Sequence, residues 1–147
     1  MAAVSYLKCA RGQAGTGRRF AVAAVEEVAD RLFAAIADSD IAAVEALWAP
    51  DVRVWHSGDR RDNERARALR VIGWFVGRTV ERRYEVLDRR FFDGGFVQQH
   101  ILHATGTGGE VVAMRVCIVI MVGEDGLITR IDEYFDTTDL APLLDRT

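Results

Sequence analysis

Between residues 111 and 122 the chain reads Val-Val-Ala-Met-Arg-Val-Cys-Ile-Val-Ile-Met-Val, and Arg115 is its single charge. The β-branched residues favour an extended chain. Both alternating sets of side chains are apolar, so the strand must be central and covered on both faces. Its uninterrupted apolar part, residues 116–122, is far too short to cross a bilayer, which predicts no membrane span. Glycine-bearing turns flank it, Gly106-Thr107-Gly108-Gly109 before and Glu124-Asp125-Gly126 after. Strands are expected at 80–92, 96–105 and 127–135, the first two joined through Asp93-Gly94-Gly95. Short turns between long strands predict an antiparallel meander.

The first half of the chain carries a helical period. Val22, Val25, Ala29, Leu32, Phe33 and Ile36 share one stripe, predicting a helix from about residue 20. Asp38-Ser39-Asp40 ends it and caps a second short helix, residues 41–48. A short strand at 52–56 follows, then a third helix from 62 to about 75 and a last helical turn within 137–144. Helices first and strands afterwards give an α+β order. Three helices cover only one face of a long sheet. The other face is expected to pair with a second copy, most simply as a homodimer, or else to be covered by the tail or the Leu140–Leu144 segment.

Charge divides the chain in two. Residues 1–19 carry Lys8, Arg11, Arg18 and Arg19 and no acid, for +4, while the rest sums to −7. With Gly12, Gly15 and Gly17, residues 1–19 read as a flexible basic extension, and residues 20–147 as a single domain. No strand precedes the glycines and no Lys-Ser/Thr follows, so a phosphate loop is excluded. The net charge of −3 gives no electrostatic footprint for nucleic acid. Two cysteines, Cys9 and Cys117, cannot form a disulfide framework or a Cys-rich zinc site, and point to a reducing, cytoplasmic setting.

Hairpin arithmetic places the polar residues. Pairing Thr105 with Glu110 sets His100 opposite Arg115 and Gln98 opposite Cys117. Pairing Gly123 with Leu127 sets Glu133 opposite Cys117 and Phe135 opposite Arg115. Gln98, His100, Arg115 and Glu133 then share one face beside small residues, which predicts a ligand cavity. A structural reading is also available, in which Arg115 and Glu133 pair as a buried network. His100 and His103, three apart on a strand, point to opposite faces and are not a metal pair. Trp55 and His56 alternate, so only one of them faces inward. Arg60, Arg61, Arg65, Arg67 and Arg70 alternate with Asp59, Asp62 and Glu64 and read as a solvated face.

Several phrases resemble the SnoaL-like branch of the nuclear transport factor 2-like superfamily. They are Leu47-Trp48-Ala49-Pro50-Asp51, Val54-Trp55-His56, Gly95-Phe96-Val97-Gln98-Gln99-His100, and the long closing phrase from Asp125 to Asp136. The resemblance covers roughly residues 20–144. It implies a cone of about three N-terminal helices packed on a strongly curved, mixed, mainly antiparallel sheet, usually dimeric, with a deep apolar pocket. Relatives include ketosteroid isomerase, limonene-epoxide hydrolase and polyketide cyclases. By position, His56 matches the isomerase's proton-shuttling aspartate and the hydrolase's water-positioning asparagine. Glu133 matches a catalytic aspartate of the hydrolase and His100 its arginine. Leu102 stands where the hydrolase has its other catalytic carboxylate, and Leu32 where the isomerase has its oxyanion tyrosine. Neither set is intact, so neither named activity transfers.

The expected function is cofactor-free and metal-free acid–base chemistry on a small apolar molecule, by isomerisation, cyclisation or hydration. His56, Glu133 and His100 are the catalytic candidates; Gln98, Arg115, Trp55, Trp74, Leu32, Leu102 and Phe135 are the ligand-binding ones. His56 suits proton shuttling because a histidine titrates near neutral pH. Arg115 or His100 would meet developing negative charge. The alternatives are a non-catalytic binder using the same cavity and a structural dimer with a vestigial pocket.

Overall fold

The computed structural model describes residues 16–144. Helix α1 (Thr16–Ala37) starts four residues before the sequence reading placed it. The first 15 residues of the expected extension, with Cys9, lie outside the described residues. Val25, Ala29, Leu32, Phe33 and Ile36 bury the predicted stripe, and Val22 stays exposed at its edge. Ser39 takes a left-handed φ of 62° to turn the chain. Asp40 caps α2 (Ile41–Leu47) through its side-chain oxygen, 3.0 Å from the amide of Ala43. Strand β1 (Trp48–His56), the short β2 (Asn63–Glu64) and helix α3 (Arg65–Arg78) follow.

Four long strands complete the sheet: β3 (Thr79–Phe92), β4 (Gly95–Gly106), β5 (Val111–Val122) and β6 (Ile128–Phe135). A 3-10 turn (Thr137–Leu140) and α4 (Ala141–Leu144) close the described chain. The strand order is β2-β1-β6-β5-β4-β3, with β1 parallel to β6 and every other pair antiparallel. The result is the expected α+β fold, helices on a mixed, curved, unclosed sheet. Register shifts in the β1–β6, β3–β4 and β5–β6 pairs supply bends, since an extra residue on one strand kinks and twists it.

The two hairpins that define the inner face each differ by one residue from the sequence reading. Thr105 pairs with Val111, not Glu110, because the β4–β5 loop is three residues long. Gly109 takes the left-handed position at φ 89°, and the Gly106 amide closes the loop on the Glu110 carbonyl at 2.7 Å. Arg115 therefore sits opposite Ile101 on the outer face, exposed. At the other end Gly123 does meet Leu127, but the register shifts between Met121 and Val122, so Glu133 lies opposite Ile118 and Phe135 opposite Val116. The two slips cancel between β4 and β6. Gln98, His100, Glu133 and Phe135 still share the inner face, with Ile118 and Val116 between them in place of Cys117 and Arg115.

One buried charge ties the helices to the sheet. Arg82 on β3 is 5% exposed and donates to the Ile36 carbonyl at 2.8 Å, the Ala37 carbonyl, the Ser39 hydroxyl, and the hydroxyl and carbonyl of Thr79. It also reaches the Val76 carbonyl at 3.4 Å. These carbonyls end α1 and α3, where unpaired acceptors and the negative end of the helix dipole favour a cation.

Candidate active site

A cavity of about 280 Å³ lies between the helices and the inner face of the sheet. Its walls are mostly apolar: Leu32, Phe33 and Ile36 from α1, Ile72, Trp74 and Phe75 from α3, and Leu102, Met114 and Ile118 from the sheet. Arg67, Val71 and Trp74 also border an open surface depression with Arg70, so this stretch of α3 forms a rim.

At one end stands an acid–base group. Parallel pairing of β1 with β6 sets His56 beside Glu133, with Nε2 3.7 Å from the carboxylate. The chain then turns through Ser57-Gly58-Asp59, where Gly58 adopts φ 93°, a conformation other residues rarely accept. The turn brings Asp59 back over His56. One carboxylate oxygen of Asp59 lies 3.0 Å from the His56 amide, 3.3 Å from His56 Nδ1 and 2.7 Å from the Asn63 side-chain nitrogen. Asn63 is buried and also donates to the Val54 carbonyl at 3.1 Å. A carboxylate can only accept here, so Nδ1 carries the proton, and Nε2 is the nitrogen turned toward Glu133. Burial raises the Glu133 pKa above the ordinary carboxylate value, against a smaller opposing effect of His56.

Farther along the sheet, His100 and Tyr84 line the same cavity. Their rings meet edge-on at 5.0 Å, and Phe33 packs on both. Burial, helped by the nearby Arg89 charge, pushes the His100 pKa down to about 4, so this ring is neutral at physiological pH. Burial and the Glu133 carboxylate together push the Tyr84 phenol far above its usual value, which keeps it a protonated donor.

Seven of the ten sequence-derived candidates line the cavity: His56, Glu133, His100, Trp74, Leu32, Leu102 and Phe135. Gln98 is fully buried behind His100 and touches it rather than the cavity. Trp55 alternates with His56 and so faces outward, where it packs on Tyr134 and donates to the Asp59 carbonyl at 3.0 Å. Arg115 is carried to the outer face by the shorter β4–β5 loop. His103 also lies outside, paired with Glu85 at 2.7 Å. Among the described residues no cluster of His, Cys, Asp or Glu has the geometry to hold a metal. Asp59, Asn63 and Tyr84 are additions. Asp59 stands three residues after His56, a signal hidden by reading its arginine-rich surroundings as a solvated face.

An apolar chamber roofed by helices on a curved sheet, with a half-buried carboxylate and a histidine at one end, defines a helix-roofed pocket fold. The SnoaL-like domain family matches residues 29–131, and the chain belongs to that family. An LEH-like epoxide hydrolase from M. tuberculosis has a similar structure, at TM-score 0.69 and 21% identity, over 85% of this chain and 92% of that one. A protein from Shewanella denitrificans OS-217, named as a SnoaL-like polyketide cyclase, aligns at TM-score 0.65 and 14% identity, over 81% and 95%. An NTF2-like protein from Burkholderia xenovorans LB400 aligns at 0.66 and 18%, over 84% and 97%. No curated protein matches the sequence significantly. At these identities the neighbours establish the fold, and the chemistry has to come from the cavity.

Proposed function

We propose that the protein is a cofactor-free acid–base enzyme that moves a proton on a small, largely apolar carbonyl compound. The observation that carries this reading is the Asp59–His56–Glu133 arrangement, a half-buried carboxylate 3.7 Å from an anchored imidazole at the end of an apolar cavity. Desolvation makes Glu133 a stronger base than an exposed carboxylate. It takes a proton from the carbon beside the carbonyl. The bonding pair moves into the new C=C bond and the carbonyl π pair onto oxygen, where His100 and Tyr84 supply hydrogen bonds. His56 Nε2 accepts the proton from the Glu133 carboxylic acid, and the imidazolium, held by Asp59, returns it to another atom of the same molecule. Return of the proton to another carbon isomerises the compound; cyclisation follows instead when the enolate carbon attacks a second carbonyl of the same molecule, whose π pair moves onto its oxygen and takes the proton.

The test is α-proton exchange of 2-tetralone in D2O, followed by NMR. The wild-type protein is expected to accelerate exchange, and Glu133→Ala or His56→Ala to lose about 10²–10⁴ of that rate. Full exchange in both variants would overturn the assignment. A second reading, a binder without turnover, is favoured by the breadth of the apolar walls; saturable binding without exchange would select it.

We further infer a homodimer through the outer sheet face. The main helices pack on the inner face, and the outer one presents Ile101, Val111, Cys117, Val119, Met121 and Tyr134. A dimer mass in native mass spectrometry is expected, and Val119→Glu should split it. No described helix is long and apolar enough to cross a membrane. Sparse cysteine content supports a cytoplasmic site of action.

A further inference from the structure

His100 is held from behind by three side chains in series. Arg89 Nη1 lies 2.7 Å from the Asp30 carboxylate on α1, Arg89 Nε lies 2.7 Å from Gln98 Oε1, and Gln98 Nε2 lies 2.9 Å from His100 Nδ1. The Arg89 guanidinium also sits 5.9 Å from the ring centres of both Phe33 and Phe96, which fixes its plane. A register shift in the β3–β4 pair makes this possible. Tyr84 faces inward opposite Leu102; one extra residue between Val86 and Asp88 changes the parity, so Arg89, five positions on, also faces inward, opposite Gln98.

The donors and acceptors leave one solution. Arginine has no acceptor, so Gln98 must turn its carbonyl to Arg89 and its NH2 to His100. A protonated Nδ1 would then set donor against donor. Nδ1 must be bare, and in the neutral ring the proton resides on Nε2. Among the described residues no hydrogen bond engages Nε2, and the ring lines the cavity.

We infer that Gln98, backed by Arg89 and Asp30, is a positioning residue that locks His100 as an Nε2–H donor into the cavity, and thereby selects ligands that place an acceptor oxygen there. The ligand part deepens the acid–base reading of this cavity. The lock is observed without turnover, so its failure is separable from failure of that reading. A ligand ammonium or hydroxyl hydrogen at this point would face a donor and be rejected.

Two-bond ¹H–¹⁵N spectra of the histidine rings in the full chain test the lock. In the wild type, His100 is expected to show a bare Nδ1 and a protonated Nε2. Gln98→Glu replaces the NH2 donor with an acceptor and should place a proton on Nδ1. The lock is overturned if Nδ1 is protonated in the wild type, a result that needs no variant to fold. It is equally overturned if Nδ1 stays bare in folded Gln98→Glu. For the ligand, 2-acetonaphthone should bind about 3–10-fold tighter than 2-ethylnaphthalene, its oxygen-free counterpart, and should shift the Nε2–H proton. Equal affinities would overturn the selection.

Discussion

Two histidines face one cavity and are prepared for opposite work. His56 rests its Nδ1 on a carboxylate, Asp59, and turns its Nε2 toward Glu133. His100 rests its Nδ1 on an amide, Gln98, and turns an N–H outward. Both rings come from strands of one sheet. The partner behind the ring decides the difference: a carboxylate demands a proton from Nδ1 and stabilises a positive ring, whereas an amide NH2 forbids that proton and favours a neutral ring. The character of the nitrogen that meets the cavity is therefore set by the partner on the other nitrogen.

The comparison breaks most sharply at Glu133. Glu133→Gln keeps the size of the side chain and removes the base, so α-proton exchange should fall by about 10²–10⁴. The same variant should erase the acid limb of the rate–pH profile. Glu133 works deprotonated and its pKa is raised, so that limb lies at higher pH than an ordinary carboxylate would give. On the other side, His100 binds its proton only near pH 4, against 6.5 in the unfolded chain. Between those values the unfolded state holds the extra proton, so stability falls as pH drops from 6.5 to 4, by about 3 kcal/mol. Glu133 titrates in the contrary sense, with stability rising as pH falls through its raised pKa. The check is therefore the difference in urea unfolding between wild type and His100→Phe across this range, which should shrink by that amount on acidification.

Smaller effects sharpen the contrast. Asp59→Asn swaps a carboxylate for an amide behind His56, imitating the His100 arrangement. Exchange should drop by about 10², at the low end of the range for acid–base groups. Gln98→Leu frees the His100 ring without supplying a competing acceptor. Affinity for 2-acetonaphthone should fall only about 3–10-fold, with the exchange rate of bound ligand changed no more than that.

Much of this was legible in the chain. The apolar stripe of α1, the cap at Asp40, the double-sided strand Val111–Val122 and the glycine turns all appear where periodicity placed them. The hairpin register did not, for a local reason. Gly106, Gly108 and Gly109 can each take the left-handed position that sets the loop length, and a bulge inside β5–β6 leaves no mark in a run of apolar residues. Each slip moved a residue by one, and one position reverses the face a side chain meets. Arg115 was lost from the cavity for that reason, while Gln98, His100 and Glu133 stayed together because the second slip undid the first. Arg89 and Tyr84 escaped notice because the bulge between Val86 and Asp88 makes the inward set of β3 even-numbered at one end and odd-numbered at the other.

Arg82 has a mechanical consequence. It fastens the last turns of α1 and α3 to the same point on β3, and both helices supply walls of the cavity. The walls thus share a fulcrum at their C-terminal ends. A change at Arg82 therefore acts on both walls at once rather than on either alone.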